Sequence, residues 1–296
     1  MGDYWEDKFS GWAQPPGPTE QQKCDNAISV IRKAIENSTA LKNRHITIFA
    51  QGSYRNRTNV RADSDVDICV LCHETMFYDI PQGMTATDFG FEIPPEYNYT
   101  EYKNDVENAL VNYFGRSSVH RGNKAFDIHE NTYRVAADVV ACFDYKWYTD
   151  RQNYLLGTAF LTDNTQRIVN WPQQNYDNGV KKNDETNRGF KAIVRILKYL
   201  RNEMAEDVNY QSKIIPSFLI ECLAWNAKNQ DFGNITYKED LRQIIIDVYK
   251  GTNSQDTCNE WGEINELKYL FRASQPWTRE QANNFLSATW NYVGYQ

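Results

Sequence analysis

The feature of this sequence that most restricts its fold is a pair of aspartates at the start of an apolar run, in the segment DSDVDICVL at 63–71. The run VDICVL at 66–71 is typical of a strand that is buried on both faces. Side chains two residues apart on a strand point to the same side, so Asp65 and Asp67 are predicted to be neighbours. Burying such carboxylates is costly, and the fold must supply compensating charge or hydrogen bonds. Asp63 has the same parity but lies further into the loop, where solvent can accommodate it.

A bound divalent cation is one way to compensate these carboxylates. Carboxylate oxygens are ligands that Mg²⁺ prefers, usually together with substrate phosphates. Asp138 is isolated among apolar residues of the strand predicted at 133–143, and it supplies a third ligand if that strand lies beside 66–71. Three carboxylates can hold two ions about 3.5–4 Å apart, which clamp the attacking and leaving oxygens in phosphoryl transfer. We therefore predict that Asp65, Asp67 and Asp138 are catalytic and bind two Mg²⁺ ions, for which Mn²⁺ can substitute. The spacing alone equally allows a solvated strand end and a hydrogen-bonded buried acid.

A Gly-Ser pair strengthens the interpretation as a phosphate site. Gly52 and Ser53 follow the strand predicted at 45–50, and eleven residues separate them from Asp65. Backbone N–H groups and a hydroxyl in such a turn can bind a phosphate, although the pair alone could be an ordinary turn. A strand, Gly-Ser, a DxD opening a second strand and an isolated Asp on a third strand together resemble the polymerase-β-like nucleotidyltransferase superfamily.

The C-terminal half carries basic residues on one predicted helix. The helix at 187–204 has an apolar face, and Lys191, Arg195 and Lys198 recur on the opposite side. A basic stripe of this kind is usually a solvated surface, and here it can also attract an anion.

The next predicted helix, at 216–228, begins with a second candidate for anion binding. Ser217 lies in its first turn, where unpaired N–H groups and the helix dipole favour a phosphate. Phe218 beside it can either stack on a base or pack in the core.

The order of predicted elements gives an α+β, bilobal architecture. Helices and strands alternate up to about residue 150, and helices are predicted beyond it. We predict a mixed-sheet N-terminal domain at 1–150 with an N-terminal helix, and a helical C-terminal domain at 151–296 that completes a nucleotide cleft. Capping boxes at Thr19 and Thr278 mark the starts of the first and last predicted helices.

Composition and charge restrict the partners. The chain has 296 residues, a net charge of −7 and no apolar run long enough to span a membrane. Its acidic balance favours small nucleotides over long nucleic acids. The start of the sequence lacks a signal-peptide pattern, and the six cysteines lie mostly in apolar runs, so we predict a cytoplasmic protein with reduced thiols. The CVLCH segment at 69–73 matches a haem-attachment spacing, but neither export nor an exposed loop is predicted there.

The segments discussed above resemble the cGAS/DncV-like nucleotidyltransferases (CD-NTases), the bacterial enzymes of CBASS anti-phage defence, and look nearest to their clade E type. The similarity covers most of the chain from about residue 10. It rests on QGSYRNRTNVRADSDVDICVL, TYRVAADVVACF, IVNWPQQNYDNG and IPSFLIECL.

The resemblance implies roles for further residues. Gln51, Gly52 and Ser53 would bind donor nucleotide, Lys198 and Ser217 would contact its triphosphate, and Phe218 would line the same site. Asp138 would also help to activate the acceptor hydroxyl. Asn170 matches a position that lies near a base in relatives and favours uracil.

The resemblance also implies an activity: condensation of NTPs, with ATP and UTP as candidate substrates, into a cyclic di- or oligonucleotide with release of pyrophosphate. That product would act on a downstream effector, and no long nucleic acid would be required. Two alternatives remain open: transfer of an NMP to an RNA, a protein or a small-molecule acceptor, and nucleotide binding without catalysis. The closing WNYVGYQ is either a helix end or a tail for a partner protein.

Overall fold

The computed structural model describes residues 3–60, 65–91, 96–207 and 215–296. The chain groups into two compact units, each discontinuous in sequence. The helical unit comprises Met1–Pro16, Ser53–Asp63 and Gln174–Gln296, and the sheet unit comprises Gly17–Gly52 and Ser64–Gln173. The predicted domains were two continuous segments, 1–150 and 151–296, whereas each of these units combines separate segments of the chain. The functional division into the two predicted domains stays a prediction.

The sheet unit is built on one mixed sheet of seven strands in the described residues. They are β1 (Ile46–Ala50), β2 (Val66–Asp79), β3 (Val119–Arg121), β4 (Phe126–Ile128), β5 (Ala137–Tyr148), β6 (Tyr154–Leu161) and β7 (Arg167–Asn170). The order is β1-β2-β5-β4-β3, with β6 paired to β5 and β7 paired to β6. Only the β2–β5 pair is parallel among these pairings. β5 is long enough for its first residues to pair with β4 and its later residues with β6.

Ten α-helices accompany this sheet in the described residues. They are α1 (Tyr4–Trp12), α2 (Pro18–Glu36), α3 (Gly52–Asn56), α4 (Tyr99–Phe114), α5 (Pro172–Glu185), α6 (Gly189–Asp207), α7 (Ser217–Asn226), α8 (Tyr237–Gly251), α9 (Gln255–Cys258) and α10 (Arg279–Val293). None of the described helices is both long and apolar enough to cross a membrane.

Helix α4 packs on the face of the sheet opposite to that of Asp67 and Asp138. Tyr102 is fully buried, donates its hydroxyl hydrogen to the Val70 carbonyl at 2.7 Å, and stacks on Phe143 at 5.1 Å. Phe143 has the opposite parity to Asp138 along β5, so its side chain points to the other face. The helix therefore leaves the aspartate face of the sheet available for polar side chains.

The helical unit has an apolar core centred on α6. Apolar residues of this helix pack with those of α7, α8 and α10, and Phe9 of α1 joins the same core. Arg195 of α6 is buried as well, because its guanidinium donates to the Ala13 carbonyl and, at 2.6 Å, to the Arg57 carbonyl. These bonds satisfy a charge that would otherwise be costly to bury.

Three expectations about elements are wrong. Residues 154–161 and 167–170 form strands, although the chain beyond about 150 was predicted to be helical. β5 starts at Ala137 rather than at 133. The N-cap of α2 is Gly17, and no side chain caps that helix, so the capping box predicted at Thr19 does not form. Pro18 occupies the first turn instead, where its missing N–H costs nothing.

Candidate active site

Two of the predicted catalytic aspartates lie side by side on the parallel pair β2 and β5. Asp67 and Asp138 are register partners in this pair, which confirms the predicted adjacency of the two strands. Register partners place their side chains on the same face of a sheet. Asp65 immediately precedes β2 and is exposed. Asp63 lies outside the described residues.

A further acid, Asp127, completes this row and was missed by sequence reasoning. Asp127 of β4 is the antiparallel register partner of Asp138. Three strands thus present Asp67, Asp138 and Asp127 next to one another. The signal was available in AFDIH, where an isolated acid sits between apolar residues, but the short strand gave no indication of its neighbour.

The crowding of acids has an electrostatic consequence for Asp138. Burial, the negative charges of Asp127 and Asp65, and a hydrogen bond with Asp127 raise the pKa of Asp138 to about 6. Like charges and low solvation both favour the neutral acid. The site therefore holds negative charge that a cation would balance.

Gly52 lies against this row because the chain turns tightly there. Its φ is +63°, in the left-handed region that glycine tolerates best, and an added Cβ would overlap Asp67 Oδ2 and lie 3.2 Å from Asp67 Cγ. The preceding residue, Gln51, donates its backbone N–H to the Asp67 carbonyl at 2.8 Å. The Gly-Ser turn and the DxD strand are thus packed together by backbone contact, with no room for a larger side chain at 52.

The donor set fits a divalent cation in its chemistry. The row offers carboxylate oxygens, which are the hard ligands that such ions prefer, and burial together with neighbouring acids raises the pKa of Asp138. In the conformation described, no three His, Cys, Asp or Glu side chains among the described residues are gathered into a metal-binding group.

Lys198 of α6 occupies a buried ion pair in the helical unit. Its Nζ donates to Glu221 Oε1 at 2.8 Å, and both side chains are almost completely buried. Thr58 Oγ1 donates to the same carboxylate oxygen at 2.7 Å. The basic stripe is therefore not the solvated surface that the helix pattern suggested, since Arg195 and Lys198 are both buried. A contact between Lys198 and a triphosphate stays a prediction.

Ser217 is the first residue of α7, as predicted. Its Oγ accepts a hydrogen bond at 3.0 Å from Nη1 of Arg201, which also donates to the Ile215 carbonyl at 3.1 Å. Arg201 adds a cation beside this hydroxyl, and sequence reasoning did not single it out.

Phe218 packs against the helical core, 6.2 Å from the Trp277 ring, which favours its structural interpretation. Ser53, in α3, accepts the Thr58 backbone N–H at its carbonyl, at 2.9 Å.

Asn170 is the last residue of β7 and is the register partner of Thr158 in β6. The backbone is crowded there, because an added Cβ at Gly157 would lie 2.7 Å from the Asn170 carbonyl and 2.8 Å from the Trp171 ring. Asn170 is half-buried, and its contact with a base stays a prediction.

Comparison with known proteins decides the family. The model of the cGAS/DncV-like nucleotidyltransferase C-terminal helical domain matches residues 177–294. A cyclic dipyrimidine nucleotide synthase CdnE of Cecembia lonarensis is 42% identical, over 100% of both chains. The chain belongs to the cGAS/DncV-like nucleotidyltransferases. The cyclic dipyrimidine nucleotide synthase CdnE of Legionella pneumophila is 44% identical over 98% of both chains.

A solved structure of this nucleotidyltransferase family supports the fold. The Rhodothermus marinus CdnE c-UMP-AMP synthase with Apcpp and Upnpp has a TM-score of 0.85 at 29% identity, covering 98% of this chain and 97% of the other. The predicted α+β fold with a helical C-terminal part, the nucleotidyltransferase class and the membership of a cyclic-oligonucleotide-synthase family are confirmed. The roles of individual site residues are not tested by these likenesses and remain predictions.

Proposed function

We propose that this nucleotidyltransferase condenses pyrimidine NTPs into a cyclic dinucleotide and releases one pyrophosphate for each bond formed. The observation that carries the proposal is the in-register pair Asp67–Asp138, with Gly52 packed against Asp67. The two relatives named as cyclic dipyrimidine synthases, each matched over nearly the whole chain, support the choice of pyrimidines. Asn170 is the residue we propose to face the base.

The proposed reaction is an in-line phosphoryl transfer. A ribose hydroxyl of one nucleotide attacks the α-phosphorus of another, a new P–O bond forms, and the bond to pyrophosphate breaks. We propose that Asp138 receives the hydroxyl proton, since a pKa of about 6 leaves this carboxylate ionised at neutral pH and able to accept it. Repetition of the step within the linear intermediate closes the ring.

We propose that Asp65, Asp67 and Asp138 hold two Mg²⁺ ions, for which Mn²⁺ can substitute. When bound, such ions neutralise the charge that develops on the transferred phosphoryl group. The Gly52 turn positions Asp67, and we propose that Gln51, Gly52 and Ser53 bind the donor phosphates, with Lys198 and Ser217 as further phosphate contacts.

We further propose that the enzyme works in the cytoplasm, in anti-phage signalling, and that its product acts on an effector protein. The cysteines support a reducing compartment, because all six are buried and none forms a disulfide.

The test is mass spectrometry of the products formed from all four NTPs with Mg²⁺, followed by phosphatase treatment. We expect a phosphatase-resistant cyclic dinucleotide containing pyrimidine bases, and no such product from Asp65→Asn with Asp67→Asn. Matched circular-dichroism spectra would show that the double variant is folded. A requirement for an RNA, protein or aminoglycoside acceptor would contradict the proposal, as would full activity of the double variant.

A further inference from the structure

A second concave site lies within the helical unit, among residues that the proposed reaction does not use. The pocket has a volume of about 530 Å³ and is formed by α9, the segment that precedes α10 and the start of α10. Its lining includes Gln255, Asn259, Arg272, Gln275, Trp277 and Arg279. No acidic side chain is among the described residues that line it. A pocket of this size is large enough for a mononucleotide.

Arg272 is held in place from two sides. Its Nη1 donates to Asn259 Oδ1 at 3.0 Å and to the Phe271 carbonyl at 3.1 Å. The guanidinium also lies over the Tyr269 ring, 4.1 Å from the centroid. These contacts fix the plane of the guanidinium and engage only part of its five N–H donors.

Arg279 is held in a similar way at the start of α10. Its Nη1 donates to the Thr252 carbonyl at 2.6 Å and to the Asn253 carbonyl at 3.1 Å. Both arginines also act on one buried thiol: burial raises the pKa of Cys258, and the positive charges of Arg279 and Arg272 oppose that rise. Both arginines line the same pocket.

The positive charge of this pair is poorly compensated. Within 4.0 Å, Arg272 has no carboxylate partner among the described residues. Arg279 has Glu280 at 3.8 Å, whose side chain is 80% exposed and therefore strongly screened. Glu263, a buried acid, accepts a hydrogen bond at 2.7 Å from Nε2 of Gln275, a residue of the lining. Two fixed guanidiniums with so little nearby negative charge are notable in a chain whose net charge is −7.

These features match an organic phosphate. A guanidinium presents parallel N–H donors that bind phosphate oxygens in pairs, which an ammonium cannot do. Trp277 contributes an aromatic wall, and its orientation is fixed because Nε1–H donates to the Leu270 carbonyl at 2.9 Å. Gln255 supplies an amide group for the edge of a base, whereas the Asn259 amide is engaged by Arg272 and Glu260. We propose that this pocket binds a nucleotide, with its phosphate between Arg272 and Arg279 and its base against the aromatic wall. This site requires neither metal nor the aspartate row.

The experiment is isothermal titration calorimetry of the full-length protein with ATP in EDTA, so that metal-dependent binding is suppressed. We expect saturable binding. In NMR spectra, ATP should shift the indole N–H resonance of Trp277, which is assigned by its loss in Trp277→Phe. Arg272→Gln should weaken ATP binding about tenfold or more, because a charged phosphate contact is lost. Arg242→Gln is the matched control, since Arg242 of α8 also lies over an aromatic ring, the indole of Trp290 on α10, but does not line the pocket.

The outcomes separate the parts of the proposal. Equal affinity of the wild type, Arg272→Gln and Arg242→Gln would overturn the site, and so would the absence of binding up to about 5 mM. Should Arg272→Gln fail to fold, Arg279→Lys keeps the charge without the fork and should still weaken binding. Inorganic pyrophosphate that binds as tightly as ATP would overturn the role of the aromatic wall. Asp65→Asn with Asp67→Asn should bind ATP in EDTA like the wild type, so this result is independent of the proposed reaction.

Discussion

At the scale of the residue, the row Asp127–Asp138–Asp67 shows how sheet register concentrates charge. Each acid is tolerable alone, but partners on adjacent strands lie within a few ångströms of one another. Burial and neighbouring charge then raise the pKa of the central acid, Asp138, to about 6. A carboxylate in this range can both bind a cation and accept a proton near neutral pH.

The contact between Gly52 and Asp67 leads to a prediction about catalysis. We expect Gly52→Ala to lower the rate of product formation about tenfold or more, because the new Cβ would overlap the Asp67 carboxylate and displace it. Gly90→Ala is the matched control, since Gly90 also has a positive φ, of +73°, but nothing lies within 4 Å of an added Cβ. Both variants should lose about 1 kcal/mol of stability from the backbone conformation. Equal rates for the two variants would contradict the positioning role of Gly52.

At the scale of the element, the two predicted capping boxes had different outcomes. Thr278 caps α10, and its Oγ1 accepts the Gln281 backbone N–H at 3.2 Å while Gln281 Oε1 accepts the Thr278 N–H at 2.8 Å. The same pattern at Thr19 fails because the N-cap of α2 is Gly17, two residues earlier, so that Thr19 lies inside the helix. Pro18 is favoured in the first turn of a helix, and it occupies that turn of α2.

This difference predicts a local effect on α10. Thr278→Ala should cost about 1 kcal/mol and speed hydrogen exchange of the Gln281 amide about fivefold, since the capping bond is lost. Thr19→Ala should change stability by less than about 0.5 kcal/mol, because no side chain caps α2. Exchange rates measured by NMR distinguish the two, and an unchanged Gln281 rate in Thr278→Ala would show that the cap contributes nothing.

A buried lysine fixes the end of another helix. Lys182 of α5 is buried and donates to the Ala227 carbonyl, just after α7, at 2.7 Å and to Asn229 Oδ1 at 2.9 Å. Burial lowers the pKa of Lys182 from 10.5 to about 8. A neutral amine can donate the same two hydrogen bonds. Burial therefore disfavours the charged form, because the ammonium group loses its hydration.

The lowered pKa predicts a pH dependence of stability. Between about pH 8 and 10.5 the unfolded chain keeps a proton on Lys182 that the folded chain has lost, so the free energy of unfolding rises with pH in this range. Relative to Lys182→Met, the wild type should gain about 1–3 kcal/mol from pH 8 to 10.5. Urea denaturation of both proteins at several pH values measures the difference. A constant difference across this range would contradict the assignment.

At the scale of the whole molecule, the chain folds into two compact units that are interleaved in sequence. The sheet unit contains the aspartate row, and the helical unit contains Lys198 and Ser217. Ligand binding to a folded protein stabilises it by an amount that grows with the logarithm of ligand concentration above the dissociation constant, reaching about 2.7 kcal/mol at a hundred times that constant. This relation gives a test of the metal proposal that does not depend on turnover.

We therefore expect Mg²⁺ to raise the melting temperature further when a non-hydrolysable UTP analogue is present. The increment should disappear in Asp65→Asn with Asp67→Asn, because the carboxylates that bind the ion are gone. Differential scanning calorimetry in Mg²⁺ and in EDTA measures it. An equal Mg²⁺ increment in the double variant would show that the ion binds elsewhere.

Much of the site was readable from sequence because its signals are local. A strand followed by Gly-Ser, and aspartates that open an apolar run, are short-range patterns governed by backbone geometry. Strands β6 and β7 were not predicted. β6 contains Gly157, and glycine is a poor strand signal. The structure requires glycine at 157 because the Asn170 carbonyl of β7 approaches it closely. That approach is a long-range contact, which local periodicity does not encode.

The sequence by itself determined the aspartates, the Gly-Ser turn, the long amphipathic helices and the acidic charge. Tertiary structure decided the rest. Strand register placed Asp127 beside Asp138. Folding also buried Lys198 in an ion pair with Glu221 instead of leaving it in solvent. It brought Arg272 and Arg279 to the lining of one pocket. The physical reason is that side-chain type and spacing act within a few residues, whereas the charge around a side chain depends on neighbours that only folding brings near.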